Sequence, residues 1–344
     1  MENSTHKKIA VTGGTGLLGA HLLLQLISRG YSVRAICRST SSKKVFEKVF
    51  AAYASNPTDD MARVEWVTGD VTEYFSLEEA FVGIDTVYHV AGFISFQSKD
   101  KPKLENVNIQ GTANVVDAAM QCGVKKVVYV SSVAALGRAD LEDLISEETP
   151  WKNSPVNTHY AVTKQAGERE VWRGSEEGLE VLVVNPGLII GYGDWTTGTG
   201  KIVKRIAEGQ SFYTDGCNGW IDVRDAARAM IDLEEAGIHG EKFILIGQNV
   251  DFKSAFASMA NHLGSKVPSI KAGPMLMRLA VWSEKFVSLF SGNEPLVTPE
   301  TIMTASLQSR YDNSKIKNRI GFQFTPFEDT LVEVSKWYKL DSKS

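Results

Sequence analysis

Acid is missing from the start of this chain. Between Asn3 and Phe46 there is no aspartate or glutamate, although the 344 residues carry 41 of them. Cysteine is scarce as well. Cys37, Cys122 and Cys217 are widely spaced and odd in number, which excludes a disulfide framework and favours a reducing compartment. No apolar run approaches the roughly 20 residues of a membrane span. The richest late stretch, PMLMRLAVWSEKFVSLF, is broken by Arg278, Glu284 and Lys285 and reads as a half-buried amphipathic helix. Charge of one sign is lacking too. Lys and Arg number 37, and a net charge of −4 gives no reason to expect nucleic acid or an anionic membrane as a partner. The six histidines show no metal-ligand spacing, so no metal is expected. MENSTHKKIAVTGG runs directly into a strand and a glycine loop, leaving no room for a signal peptide. The expectation is a soluble cytoplasmic protein.

What is present is alternation. KKIAVTGG, YSVRAICR, RVEWVTGD, DTVYHVAG, KKVVYVSS and EVLVVNPG each read as a buried strand ending in glycine or a small polar residue. Between them lie helical patterns such as GLLGAHLLLQLISRG and NIQGTANVVDAAMQCG. This predicts an α/β fold, a doubly wound parallel sheet with helices on both faces and ligands beyond the carboxyl ends of the strands. After Pro186 the regularity weakens. The division expected is a dinucleotide-binding unit over 1–185, rejoined by 219–247, and a smaller substrate-binding unit from 186–218 and 248–344. No internal repeat or low-complexity linker interrupts it.

VTGGTGLLG follows the first strand and opens a helix. Gly14, Gly16 and Gly19 fit G-x-G-x-x-G, and Thr12, Gly13, Gly16 and Gly19 fit T-G-x-x-G-x-x-G. Such a turn needs residues without Cβ, lets backbone approach a pyrophosphate, and aims helix N–H groups at anionic oxygen. Thr12, Gly13, Thr15, Gly16, Leu17, Leu18 and Gly19 are therefore candidate cofactor contacts.

The second spacing resembles the short-chain dehydrogenase/reductase superfamily in its extended form, the NAD(P)-dependent epimerase/dehydratase family. The resemblance covers most of the chain and is strong over the first 190 residues; its nearest look is to dihydroflavonol-reductase-like and 3β-hydroxysteroid-dehydrogenase-like members. It implies that Asp70 and Val71, in GDV, meet the adenine ring. It puts Val90, Ala91 and Gly92, in HVAG, beside the cofactor ribose, and Asn108, in VNIQGT, behind the nicotinamide. Ser131 lies beside the cofactor as well, and Pro186 and Gly187 pack backbone against the nicotinamide face. WIDVRDAA resembles the segment that returns the chain to the first unit. Family members commonly pair through helices around 105–120 and 160–173, so a homodimer is expected.

Tyr160 and Lys164 are four residues apart and share one face of a helix. An ammonium one turn away, with the positive ring of an oxidised nicotinamide, would favour the phenolate of a group whose ordinary pKa is about 10. Tyr160 would then exchange a proton with a substrate oxygen, and Lys164 would also hold the nicotinamide ribose. Counted from the glycine ending VAALG, the family's serine falls on Ser132, which would donate a hydrogen bond to the same oxygen. Adjacent strand residues point to opposite faces, so only one of Ser131 and Ser132 can point to the cleft. Asn185 stands where many members have arginine and reads as structural; His159 reads as a loop or helix-start residue.

The missing acid now acquires a meaning. At the end of the second strand an NAD-binding chain carries a carboxylate for the ribose 2′-hydroxyl. RAICRSTSSKK offers Arg38 instead, able to grip a 2′-phosphate and stack on adenine, with Ser39 adding a hydroxyl and Lys43 or Lys44 adding charge. The ordinary reading is a solvated basic loop; the functional one is NADP(H) in preference to NAD. Val133 and Ala134 stand where the family's dehydratases keep a proton donor and acceptor, and neither can move a proton. The function expected is an NADP(H)-dependent oxidoreductase interconverting a ketone and a secondary alcohol. Its cleft would be lined by Phe93, Phe96, Tyr192, Trp195, Phe212 and Trp220. An NAD-dependent sugar-nucleotide epimerase is the alternative, and a non-catalytic nucleotide-binding protein the third reading.

Overall fold

The computed structural model describes residues 7–137, 144–273, 276 and 298–343. Runs rich in β-branched residues form β1 (Lys8–Thr12), β2 (Ser32–Cys37), β3 (Val64–Thr68), β4 (Thr86–His89), β5 (Lys126–Val130) and β6 (Glu180–Pro186). After β7 (Leu188–Ile190), β8 (Phe212–Tyr213) and β9 (Cys217–Asp222) comes β10 (Glu241–Leu245), which pairs with β6. The result is a seven-stranded sheet of order β10-β6-β5-β4-β1-β2-β3, parallel throughout. The order reverses between β1 and β4, so a crevice opens at their carboxyl ends.

Strand alternation divides the core into two layers. Ile9 and Val11 face one side with α1 (Leu17–Ser28), α2 (Lys44–Tyr53) and, much later, α9 (Val223–Glu235). Ala10 faces the other side, with α4 (Tyr74–Phe81), α6 (Gly111–Gln121) and α7 (His159–Glu176). Leu22, Leu23, Leu26 and Ile27 of α1 are fully buried, each worth about 1.5–3 kcal/mol. This anchors the helix whose first turn faces the crevice. Two short helices, α3 (Pro57–Ala62) and α5 (Lys101–Glu105), complete this part. A π-helical turn, Asn106–Gln110, joins α5 to α6 and carries the buried Asn108.

The WIDVRDAA segment differs in detail from expectation. Its strand, β9, lies in a separate three-stranded sheet between β7 and β11 (Gln248–Asp251), while Ile221 and α9 pack on the large sheet and β10 joins it. Trp220 from β9 is wedged between Phe252 and Phe327 in a third core with α8 (Gly198–Ala207), α10 (Phe252–Leu263) and the C-terminal helix Phe327–Asp341. A short strand β12 (Ile270–Lys271) pairs with β8. The stretch 274–290, read as an amphipathic helix, lies outside the described residues apart from Leu276.

Candidate active site

The glycine loop is built by close approach. Gly13 has φ of +75°, and a Cβ there would lie 2.6 Å from the Ala91 nitrogen; a Cβ on Gly19 would lie 2.2 Å from the Gly13 carbonyl oxygen. Gly13 O accepts from Gly16 N at 3.0 Å, closing the turn. The spacing through Gly13 therefore describes the loop. Gly14 is not the turn glycine: its φ is ordinary, and its added Cβ would meet only the Leu23 side chain, at 2.8 Å. Gly16 caps α1 without a side chain, and no acid occupies the first turn. The N–H groups of Leu17, Leu18 and Gly19 thus have no partner within the helix.

Around this loop the strand ends converge. Asp70 uses its carboxylate locally, accepting from the Thr72 amide and hydroxyl at 3.0 Å each. Val71 is held by its carbonyl, which accepts from Asn114 at 2.9 Å. Arg38 and Ser39 follow β2 and are exposed. Lys43 does not reach outward: its ammonium sits over the Trp66 ring, 4.4 Å from the centroid. Gly92 lies beside Lys164, since a Cβ on it would be 3.8 Å from the Lys164 Nζ. Asn108 is fully buried, and its amide pairs with both backbone groups of Phe93 (2.8 and 2.9 Å) and donates to Thr163 Oγ1 at 3.1 Å. It fixes the 90–97 loop to α7 and has little left for a cofactor.

The two serines part company. Ser131 is buried and donates to Glu168 Oε2 at 2.7 Å. Ser132 Oγ accepts from Ala134 N at 3.1 Å and lies beside Tyr160, whose phenol it pulls down. Asn185 bridges the Ser132 carbonyl and Glu168, both at 3.0 Å. Pro186 closes β6, and Gly187 is required by a neighbouring strand, since its Cβ would lie 2.3 Å from Gly219 O. His159 begins α7 and pairs with Glu105 at 3.0 Å.

Lys164 is held from below by β5. Its Nζ donates to Tyr129 Oη and Val130 O, both at 2.8 Å. Burial brings the ammonium down to about 7, against an upward pull from Glu168. Burial likewise raises the Tyr160 phenol above 10.0, with the Ser132 hydrogen bond opposing it. The lysine alone does not make a phenolate: it is itself desolvated and spent on β5. Without further positive charge Tyr160 is a protonated phenol at neutral pH, a donor and not a base.

Most of the expected aromatic lining lies elsewhere. Tyr192 stacks on Trp337 at 4.7 Å, Trp195 donates to Asp341 at 2.9 Å, and Trp220 is core. Phe96 remains, 6.0 Å from the Tyr160 ring and edge-on to it. Sequence reasoning passed over His89, Thr112, Tyr129 and Glu168. Glu168 was one helical turn beyond Lys164, and His89 and Tyr129 end neighbouring strands, so periodicity could have found them.

Residues 9–246 match the NAD dependent epimerase/dehydratase family, and the chain belongs to it. Sterol demethylase protein B of Methylococcus capsulatus is 27% identical over 335 residues, 96% of this chain and 97% of that protein. The 3-beta-hydroxysteroid dehydrogenase of Mycolicibacterium neoaurum is 26% identical over 352 residues, 96% and 91% of the two chains. The crystal structure of gox2253 aligns with a TM-score of 0.80 at 27% identity, over 98% of this chain and 99% of that one. The extended short-chain dehydrogenase/reductase fold and an NAD(P)-dependent oxidoreductase follow from this membership.

Proposed function

We propose that the protein is an NADP(H)-dependent oxidoreductase that interconverts a ketone and a secondary alcohol, with Ser132, Tyr160 and Lys164 as its site. The observation that carries this reading is that Tyr160 stands beside Ser132 at the carboxyl end of β5, by the crevice on which the α1 loop opens. The loop fits a dinucleotide: the cradle between Gly13, Gly19 and Ala91 is one that a Cβ would fill. Gly13 to Gly19 would hold the pyrophosphate, Arg38 and Ser39 a 2′-phosphate, Asp70 and Val71 the adenine side, and Lys164 and Gly92 the nicotinamide ribose. A bound nicotinamide nucleotide supplies or accepts the hydride.

The chain's own groups handle the proton. Tyr160, held protonated by burial, gives its proton to a carbonyl oxygen as that oxygen becomes an alkoxide. Ser132 keeps the Ala134 N–H on a lone pair and can turn its one hydroxyl hydrogen from Tyr160 to the same oxygen. The raised Tyr160 favours the reductive direction. Val133 and Ala134 form the turn after Ser132 and carry no group for dehydration. Two copies pairing through α6 and α7 belong to the same proposal.

The test is to strip the purified protein of nucleotide and titrate it with NADPH and NADH. NADPH is expected to bind more tightly and exchangeably. Arg38→Ser should weaken NADPH roughly 10- to 100-fold, the range for hydrogen bonds to a charged group, and leave NADH nearly unchanged. Tightly retained NAD, or no response to Arg38→Ser, would remove NADP(H) and point to sugar-nucleotide epimerisation. Gly19→Ala should weaken both nucleotides at least tenfold and lower stability by about 1–3 kcal/mol. Unchanged titration and melting curves would take the loop out of the site.

A further inference from the structure

Beneath the crevice runs a row of buried polar side chains that the chemistry above does not use. Thr12, His89 and Tyr129 stand opposite one another in register across β1, β4 and β5. All three are buried to within 1%. From the helices above, α6 brings Thr112 and α7 brings Lys164 to the same face. Thr12 Oγ1 lies 2.8 Å from His89 Nδ1, and His89 Nε2 lies 3.1 Å from Thr112 Oγ1. The Tyr129 ring packs against that of His89, centroids 5.4 Å apart, and its hydroxyl receives Lys164 Nζ at 2.8 Å.

Counting hydrogens fixes the direction of each bond. Thr112 spends its one hydroxyl hydrogen on the Asn108 carbonyl at 2.8 Å, so it can only accept from His89. Nε2 of His89 therefore carries the proton, and Nδ1 accepts from the Thr12 hydroxyl. Thr12 in turn accepts the Ala91 N–H at 3.2 Å, at the point where Gly13 packs against Ala91. Tyr129 Oη accepts from the lysine. The histidine is thereby fixed in one tautomer.

We propose that His89 is a positioning residue that ties the glycine loop to the catalytic lysine, so that the two ends of one nucleotide meet a single rigid frame. One nitrogen holds the Thr12–Ala91 contact that seats the turn; the other, through Thr112 and Asn108, holds Thr163, the neighbour of Lys164 on α7. An apolar residue at position 89 would leave Thr12 and Thr112 unpaired in a dry interior. The inference rests on the reading that the loop and Lys164 serve the same nucleotide.

Two substitutions separate the two nitrogens. In His89→Asn the polar end sits where Nδ1 was and keeps Thr12, but it cannot reach Thr112. In His89→Gln the amide reaches the place of Nε2 and keeps Thr112, but it gives up Thr12. His89→Gln should weaken NADPH binding about tenfold, the worth of a buried hydrogen bond, with a smaller fall in kcat. His89→Asn should lower kcat about tenfold with a smaller change in affinity. Equal losses in both parameters from both variants, or no loss in either, would overturn the proposal in favour of a residue that only fills space. Nitrogen-15 NMR of the nucleotide-free wild-type protein, labelled at histidine, needs no variant to fold. Two buried neutral imidazoles protonated at Nε2 are expected, from His21 and His89, and the one lost in His89→Gln should be protonated at Nε2 and bare at Nδ1. The opposite tautomer would overturn the chain. This readout also stands apart from the reading of function: if Tyr160→Phe retains turnover, that reading fails while the tautomer and the affinity split still judge His89.

Discussion

Tyr160→Phe is expected to lower kcat by about 10²- to 10⁴-fold, the usual range for a positioned general acid, while NADPH affinity changes little. The phenyl ring fills the same space, packs edge-on to Phe96, and removes one oxygen. That oxygen lies beside Ser132 at the end of β5 and carries a transferable proton. Ser132→Ala offers a graded companion. It removes the hydrogen bond that holds the phenol down, so burial should push Tyr160 further up. The oxidative direction, which needs the phenolate, should then suffer more than the reductive one. Steady-state kinetics in both directions, with nucleotide affinity measured separately, read these effects. Turnover surviving in Tyr160→Phe would mean that another group moves the proton.

How much of this was legible in the sequence depends on the distance over which each residue acts. The strands and helices of the first half follow from apolar periodicity and glycine punctuation, and the parallel order follows from strand–helix alternation. Local chemistry was equally readable: Gly13 and Gly19 are adjacent to the turn they permit, and Tyr160 and Lys164 share a helix face by spacing alone. What could not be read was which side chains face each other across strands. Ser131 meets Glu168 and Lys164 meets Tyr129 only because β5 lies under α7. The aromatic residues illustrate the same limit. Tyr192, Trp195 and Trp220 carry the same composition signal as a cleft lining, but the C-terminal helix covers them. Arg38 is the opposite case. Its meaning came from an absence of carboxylates over a whole segment, a signal the sequence shows more plainly than the structure does.

Acid is expected to unfold this protein between pH 5 and 4, through two buried imidazoles. His21 donates from Nε2 to the Tyr192 carbonyl at 2.9 Å, and burial lowers it from 6.5 to about 4 against the pull of that bond. His89 is lowered from 6.5 to about 3, by burial first and by Lys164 second. In the unfolded chain each takes up a proton as pH falls through its ordinary value; in the folded chain neither does until about 4 or 3. The unfolded state therefore binds more protons across that window, and stability is lost as pH falls. At about 1.4 kcal/mol per unit, each histidine removes roughly 3 kcal/mol by pH 4. Their sum rivals the total stability of about 5–15 kcal/mol of an ordinary fold. Lys164 does not confuse the measurement, because its shift from 10.5 to about 7 acts above neutrality. The lowered carboxylates Asp194, Asp341 and Glu241 act in the same direction but below their ordinary range. Urea unfolding followed by circular dichroism at a series of pH values should give a slope near pH 5.5 of about 2.5 kcal/mol per unit. His21→Gln keeps a donor for Tyr192 and does not titrate, so it should halve that slope and move the acid midpoint downward. An unchanged slope in this variant would mean that His21 gains its proton without unfolding, and that the packing around α1 opens more readily than its burial implies.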